Sequence, residues 1–422
     1  MEHTEQLNLS KSKSSKGSSK SSEIGKQKWA IVSLSSIPLV MTLGNSMLIP
    51  VLTTMEKKLN ISSFQSSMII TVYSIVAILL IPVAGYISDH LGRKKVIIPS
   101  LIIAAIGGLI SGFASWKMND GYWLILVGRA LQGVGAAGAA PIVMPLVGDM
   151  FKDDEDVSCC LGLIETSNTL GKVLSPILGA LLAGIIWFLP FFSFPVFCTI
   201  SILLVLLLVK SPKSDTKKIP FKEFFINVKK TFTESGRWLY AIFFIGAALM
   251  FVLFGILFYL SDTFEKVYDI KDVKKGLFLA IPLGALCLSS YITGKIIKKN
   301  KVLMKWITVI GIVLLATSIA LLMLSKGIWF MIAMFVVSGI GIGAGLPCLD
   351  ALITEGVEKE ERGTITSVYS SMRFIGVAAG PPVIALMMKN NEKWLFILLS
   401  SIAVVAALVT LLAIRPKAEK SH

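Results

Sequence analysis

Four charged residues stand inside or against long apolar runs of this chain: Arg129, Glu165, Lys172 and Arg373. A charge at the centre of a bilayer costs roughly 3 kcal/mol or more, so such residues are candidates for function before anything else is known. Glu165 and Lys172 stand seven positions apart in Glu165-Thr-Ser-Asn168-Thr-Leu-Gly171-Lys172. On a helix that is two turns on one face, about 10 Å along the axis, and Asn168 shares the face. Burial favours a protonated carboxyl, whereas a nearby cation favours the ionised one. A reversible proton carrier needs that competition, which makes Glu165 the first candidate for the proton site and Arg129 or Lys172 its modulator. A permanent Glu–Lys or Glu–Arg pair is the competing reading. Gln132 lies three residues after Arg129, on nearly the same face, and an Arg bonded only to backbone carbonyls is the alternative there. Histidines occur only at 3, 90 and 422, and none of the five cysteines has metal-ligand spacing. With no nucleophile constellation either, neither an enzyme nor a metal or organic cofactor is expected.

These residues need helices to position them. The chain has 422 residues, 54% hydrophobic and 16% charged, where soluble domains carry about a quarter charged. The apolar residues come in blocks of the roughly 20 residues that cross a bilayer. Twelve spans are expected near 29–53, 65–88, 96–115, 121–148, 158–184, 186–209, 237–261, 275–297, 303–324, 327–352, 363–388 and 393–414. The fold class is thus an all-α polytopic membrane protein. The net charge of +15 lies in tails and loops, where it sets topology and meets membrane lipids rather than nucleic acid. The tails and even-numbered connections hold about 28 Lys and Arg and the odd-numbered ones about 10. That bias puts both termini in the cytoplasm of a multi-pass cell-membrane protein, although the stretch Lys152-Asp-Asp-Glu-Asp156 is acidic.

Residues 1–28 form a Ser- and Lys-rich tail that cannot bury a core and lacks the features of a signal peptide. Residues 210–236 form a basic linker between two six-span halves, 29–209 and 237–414, and 415–422 is a second tail. The halves repeat. Gly135-Ala-Ala-Gly-Ala-Ala-Pro141 parallels Gly341-Ile-Gly-Ala-Gly-Leu-Pro347, and Ser175-Pro176 parallels Gly380-Pro381, at offsets of 206 and 205. Parallel halves with a site between them near the midplane are a recurring transporter plan.

Between the second and third spans runs Gly85-Tyr-Ile-Ser-Asp89-His-Leu-Gly92-Arg93-Lys94-Lys95. An ordinary positive-inside loop is the plain reading. Its order nevertheless resembles the loop between helices 2 and 3 of the major facilitator superfamily, and the resemblance extends over roughly 29–414. It implies a gate in which Arg93 pairs with Asp149, the acid closing the fourth span, and Asp89 caps or pairs with a helix start in the other half. Such contacts would latch an outward-facing state. The second half's counterpart, Gly294-Lys-Ile-Ile-Lys-Lys-Asn, lacks the acid and the Arg. Asp350 and Glu355 are placed at cytoplasmic helix ends.

Arg129-Ala-Leu-Gln132-Gly133-Val-Gly135 resembles the helix-4 motif of proton-coupled members, in which the Arg tunes a carboxylate. Gly162, Gly171, Ser175-Pro176 and Gly179-Ala180 resemble the helix-5 motif of drug:proton antiporters, with Ser-Pro and Gly-Ala in place of Gly-Pro and Gly-Gly. The small residues keep a close-packing role. The resemblance implies a proton-driven exporter of small amphipathic molecules, such as drugs or secreted metabolites, acting as a monomer by alternating access. An uptake or facilitative carrier, or a receptor or scaffold on the same fold, are the alternatives. Asn45 stands where some relatives carry an acid, and Arg373 corresponds to Asn168 in the repeat. With Gln132, Tyr369, Phe251 and Phe254 they are expected to line the substrate cavity, although most aromatics of the seventh span should face lipid or neighbouring helices.

Overall fold

The computed structural model describes residues 27–118, 120–151, 154–210, 236–297, 300–356, 359–389 and 392–414. Among the described residues, twelve helices are long and apolar enough to cross a membrane. They are α1 (Gln27–Leu59), α2 (Ser63–Leu91), α3 (Arg93–Lys117), α4 (Tyr122–Met150), α5 (Asp154–Ile185), α6 (Leu189–Leu208), α7 (Gly236–Lys266), α8 (Asp272–Ile297), α9 (Lys301–Leu321), α10 (Ile328–Gly356), α11 (Lys359–Met388) and α12 (Glu392–Ala413). Each covers the core of an expected span, including the turn placed near Gly184–Trp187. The two tails, most of the linker and the side chains of Lys152–Asp156 and Glu355 lie outside the described residues.

Local signals set the boundaries. Ser62 caps α2 in a reciprocal box with Gln65, satisfying donors that the first turn leaves open. Asn60 takes a left-handed φ of 51° to end α1, and Gly92, at φ +100°, makes the reversal between α2 and α3, a conformation that a side chain resists. Pro50 sits in a 3-10 turn, Ile49–Val51, that breaks α1 near its end.

Two helices outrun their expected spans by at least five residues at one end. α1 continues from 53 to Leu59 and α7 from 261 to Lys266. The added turns carry Glu56, Lys57, Lys58, Asp262, Glu265 and Lys266.

The halves pack alike. α3 packs on α4 as α9 on α10, α2 on α4 as α8 on α10, and α3 on α6 as α9 on α12. A methyl at Gly107 would run into the Gly128 carbonyl, and one at Gly311 into the Gly341 carbonyl, so the same close approach recurs in both halves. Between the halves, α2 meets α11 and α5 meets α8.

The interior shows which end is shut. One apolar core occupies the tail-side part of the first half, with Ile31, Leu34, Ile97, Leu146 and Val205. A second core fills the other half and takes in Leu48, Leu52, Met55, Ile69, Ala114, Tyr122 and Phe191. All of those lie at the end of the first half away from the tails. The two halves therefore share one core at that far end, which is sealed.

Candidate functional site

Helix α5 is drawn tightly against α1 and α8, and this fixes the side chains between them. At Gly179 a methyl would strike the Met47 carbonyl, and at Gly171 it would lie 3.2 Å from the Leu39 oxygen. Pro176 offers its carbonyl to Gly276 of α8, where a side chain would also collide. Ser175 is buried and bonds back to the Gly171 carbonyl at 2.6 Å. In α11, Gly380 faces the Phe251 carbonyl of α7 at 2.7 Å from its would-be Cβ, the second half's version of the same contact, one residue before Pro381. Gly162 meets nothing within 4 Å.

So placed, α5 brings Glu165 and Lys172 within electrostatic reach of residues of the second half. Asn168 donates to both Glu165 oxygens at 3.2 Å and accepts from Thr42 of α1 at 2.5 Å. Across the seam, Arg373 of α11 pairs with Asp350 of α10 at 3.4 Å, and its guanidinium lies 5.6 Å from the centre of the Tyr369 ring. Glu165, Lys172, Asp350 and Arg373 lie within electrostatic reach of one another. The cluster is thus two acids and two cations, contributed by both halves.

Lys172 is the odd member. It is only 7% exposed, and its Nζ has no hydrogen-bond partner among the described residues. A buried polar group left unmatched costs about 1–3 kcal/mol. Lys172 lines a cavity of about 10 Å³ together with Ser46, Leu253, Phe254 and Leu279, room for about one water. Phe251 is half-buried beside it in sequence, its backbone nitrogen facing Gly376 at 2.6 Å from a would-be Cβ.

Arg129 is elsewhere, and this corrects the expectation that it modulates Glu165. Fully buried, it donates to the Ile69 carbonyl at 2.7 Å, the Gly44 carbonyl at 3.1 Å, Asn45 at 2.6 Å and Gln132. The Tyr73 ring packs 4.6 Å from its guanidinium carbon. Glu165 is not among these partners. Asn45 and Gln132 are therefore taken up in tying α4 to α1 and α2, not in lining the cavity. Gly133 permits the approach to α2, where a methyl would strike the Tyr73 carbonyl, and Gly135 permits the approach to α3, where one would strike the Ser100 carbonyl.

Asp350 is the residue sequence reasoning misplaced. Read as a helix-end acid, it lies six positions before the end of α10, its side chain 25% exposed beside Arg373. The signal was the apolar Ala351-Leu352-Ile353 that follows it, enough for a further buried turn.

At the tail end, Arg93 bonds Asp149 at 3.1 Å and Ser88 at 2.8 Å, and pairs with Asp89. The Arg93–Asp149 contact is thus formed. Asp89 reaches Arg93 of its own half; its expected neighbour is a helix start in the other half, and the side chains of the first turn of α11, which packs on α2, lie outside the described residues. Gly85 faces Ser367 of α11, 3.4 Å from a would-be Cβ.

The far end holds a polar network that the span boundaries had cut through. Glu265 of α7 pairs with Lys275 of α8 at 2.7 Å and Lys57 of α1 at 2.6 Å, and accepts from Thr53. Lys266 pairs with Glu56 of α1 at 3.1 Å and with Asp262 at 2.5 Å. Ser261 donates to the Ile49 carbonyl at 2.8 Å. All but the Asp262 and Lys275 pairs join one half to the other.

A family model described as Major Facilitator Superfamily matches residues 34–313 and 305–422. The chain is 57% identical over 383 residues to the bacillibactin exporter of Bacillus subtilis (strain 168), covering 90% of this chain and 95% of that protein. It is 25% identical over 346 residues to the class C tetracycline resistance protein of Escherichia coli, covering 77% and 81%. Among solved structures, the human organic anion transporter MFSD10 matches with a TM-score of 0.73 at 14% identity, over 91% of this chain and 99% of that one. A bacterial homolog of the human lysosomal transporter Spinster matches at 0.71 and 15% identity, over 92% and 96%. At such identities the structural likeness establishes the fold.

Proposed function

The chain belongs to the major facilitator superfamily, and from that premise we propose that it is a proton-coupled antiporter exporting small amphipathic molecules by alternating access. One observation carries the coupling: Glu165 of the first half and Asp350 of the second share the field of the same two cations, Lys172 and Arg373. Protonating either carboxyl leaves the seam with excess positive charge, and a change of charge between two packed bodies alters which of their arrangements is favoured. The outward direction is supported by the likeness to the bacillibactin exporter and the tetracycline resistance protein.

The positive-inside bias assigns the tails to the cytoplasm, so the sealed far end faces outside and cargo loads from within. Deprotonation of Glu165 toward the cytoplasm favours capture, and protonation from outside favours release. The protein works as a monomer in the cell membrane, in contact with lipid.

The test compares metabolites in the medium of cells that overexpress the protein with those of cells that lack it, with and without a protonophore. An excess that disappears when the proton gradient collapses is expected. Depletion from the medium would indicate uptake, and an excess indifferent to the protonophore would end the coupling claim.

A further inference from the structure

Every charged side chain of the central cluster but one is engaged. Both Glu165 oxygens accept from Asn168, and Asp350 is held by Arg373. Lys172 alone among the four is buried without a hydrogen-bond partner among the described residues. Glu165, which lies two helical turns away along α5, does not come to it.

What surrounds the amine is one-sided. The cavity it lines takes Ser46 and Ile49 from α1, Pro176 from α5, Leu253 and Phe254 from α7, and Leu279 from α8. No acidic side chain lines it. The cavity draws on both halves and at about 10 Å³ has room for no more than one water, so a larger solute reaches Lys172 only when the halves part. A single cation at one end of an apolar, aromatic-walled space matches a molecule with one anionic group and an apolar body. A cationic solute in it would meet the Lys172 charge with no carboxylate among the lining residues, the nearest acids, Glu165 and Asp350, being held by Asn168 and Arg373.

We infer that Lys172 receives the anionic group of the transported molecule, which makes the cargo an organic anion and Lys172 its specificity-determining residue. This deepens the exporter reading and rests on it for the word cargo, while the site itself is tested without transport.

The probes are three compounds with one ring and different charge: 2-naphthoate, 2-naphthalenemethanol and 2-naphthylmethylammonium. Binding of tritiated 2-naphthoate to the purified full chain is measured by scintillation proximity, with each of the three as competitor. The expected result is saturable binding displaced at least tenfold better by the carboxylate than by the alcohol or the ammonium. Lys172→Gln should weaken that binding at least tenfold, and Lys172→Arg should retain most of it, with thermal midpoints recorded to show that both variants fold. Absence of saturable binding to the unaltered chain, displacement indifferent to charge, preference for the ammonium, or unchanged binding in a folded Lys172→Gln each overturns the inference. The competition among the three probes needs no variant, so a misfolded Lys172→Gln leaves the test standing. Charge-blind binding in a protein that still exports under a proton gradient sinks the anion site alone. Lys172-dependent binding without export sinks the exporter reading and spares the site.

Discussion

Lys275 and Glu265 pair at 2.7 Å with 3% and 6% of their side chains exposed, and the same carboxylate also bonds Lys57 and Thr53 of the opposite half. A buried pair gains little net stability against a hydrophobic substitute, but removing one partner strands the other charge at a cost of about 3–5 kcal/mol. The Lys275 pair lies within one half, whereas the bonds from Thr53 and Lys57 join the halves and so belong to the sealed arrangement alone.

Glu265→Gln should therefore shift the protein toward an open far end, while Glu265→Gln combined with Lys275→Met should shift it less than either change alone. Alkylation of a cysteine placed at Ser46, under the seal, reads the population. Equal labelling in the unaltered and singly substituted proteins would show that the network does not hold the end shut.

Glu165→Gln should abolish efflux driven by a pH gradient while leaving exchange of labelled for unlabelled cargo intact, since exchange requires no net proton movement. Asp350→Asn should impair both, because it also strands Arg373, whose only described carboxylate bond is to Asp350. The assay is proteoliposome flux with and without an imposed gradient. Gradient-driven transport that survives in Glu165→Gln would move the proton site away from α5.

The spans, the repeat and the close packing of α5 were legible because each is local: hydropathy marks a span, and Gly171, Ser175 and Gly179 mark a helix face. The far-end network was not, for two physical reasons. A hydropathy window ends where charges begin, so the spans stopped short of Glu56, Lys57 and Glu265, although the helices continue through them. And Thr53 and Glu265 are 212 positions apart, a pairing no local period announces. Asp350 lay inside its expected span, 327–352, but two residues from the expected end, so the four further residues of α10 moved it from a helix end into the seam. Arg129 was seen as buried, but its spacing from Gln132 could not tell a carboxylate partner from the Gly44 and Ile69 carbonyls that hold it.

Arg129→Gln should act on stability before it acts on coupling. The change removes the donor that joins the Gly44 and Ile69 carbonyls to the Asn45 side chain, and a buried group left unmatched, as the Asn45 oxygen would be, costs about 1–3 kcal/mol. A lowered thermal midpoint in detergent, with the pH dependence of residual transport unchanged, is expected. A variant of full stability with a displaced pH profile would return Arg129 to the coupling machinery.

Asp89→Asn tests whether the loop at the tail end works as a gate or only as a charged surface. Arg93 is shared between Asp89 and Asp149, both of its own half, and these bonds exist while the far end is sealed. They cannot by themselves latch one half to the other. What they can do is fix Arg93 and the end of α2 so that α2 meets α11 in one register, at the point where Gly85 faces Ser367. Asp89→Asn keeps the shape and removes the charge, so it should slow transport severalfold with cargo affinity nearly unchanged. Asp149→Asn should do the same through the other side of Arg93, and the two changes together should cost less than the sum of their separate effects, because they act on one side chain. Flux and binding measured on the same preparations decide the matter. Additive losses would mean that Asp89 and Asp149 act independently, and a fall in affinity matching the fall in flux would place the loop in binding rather than in gating.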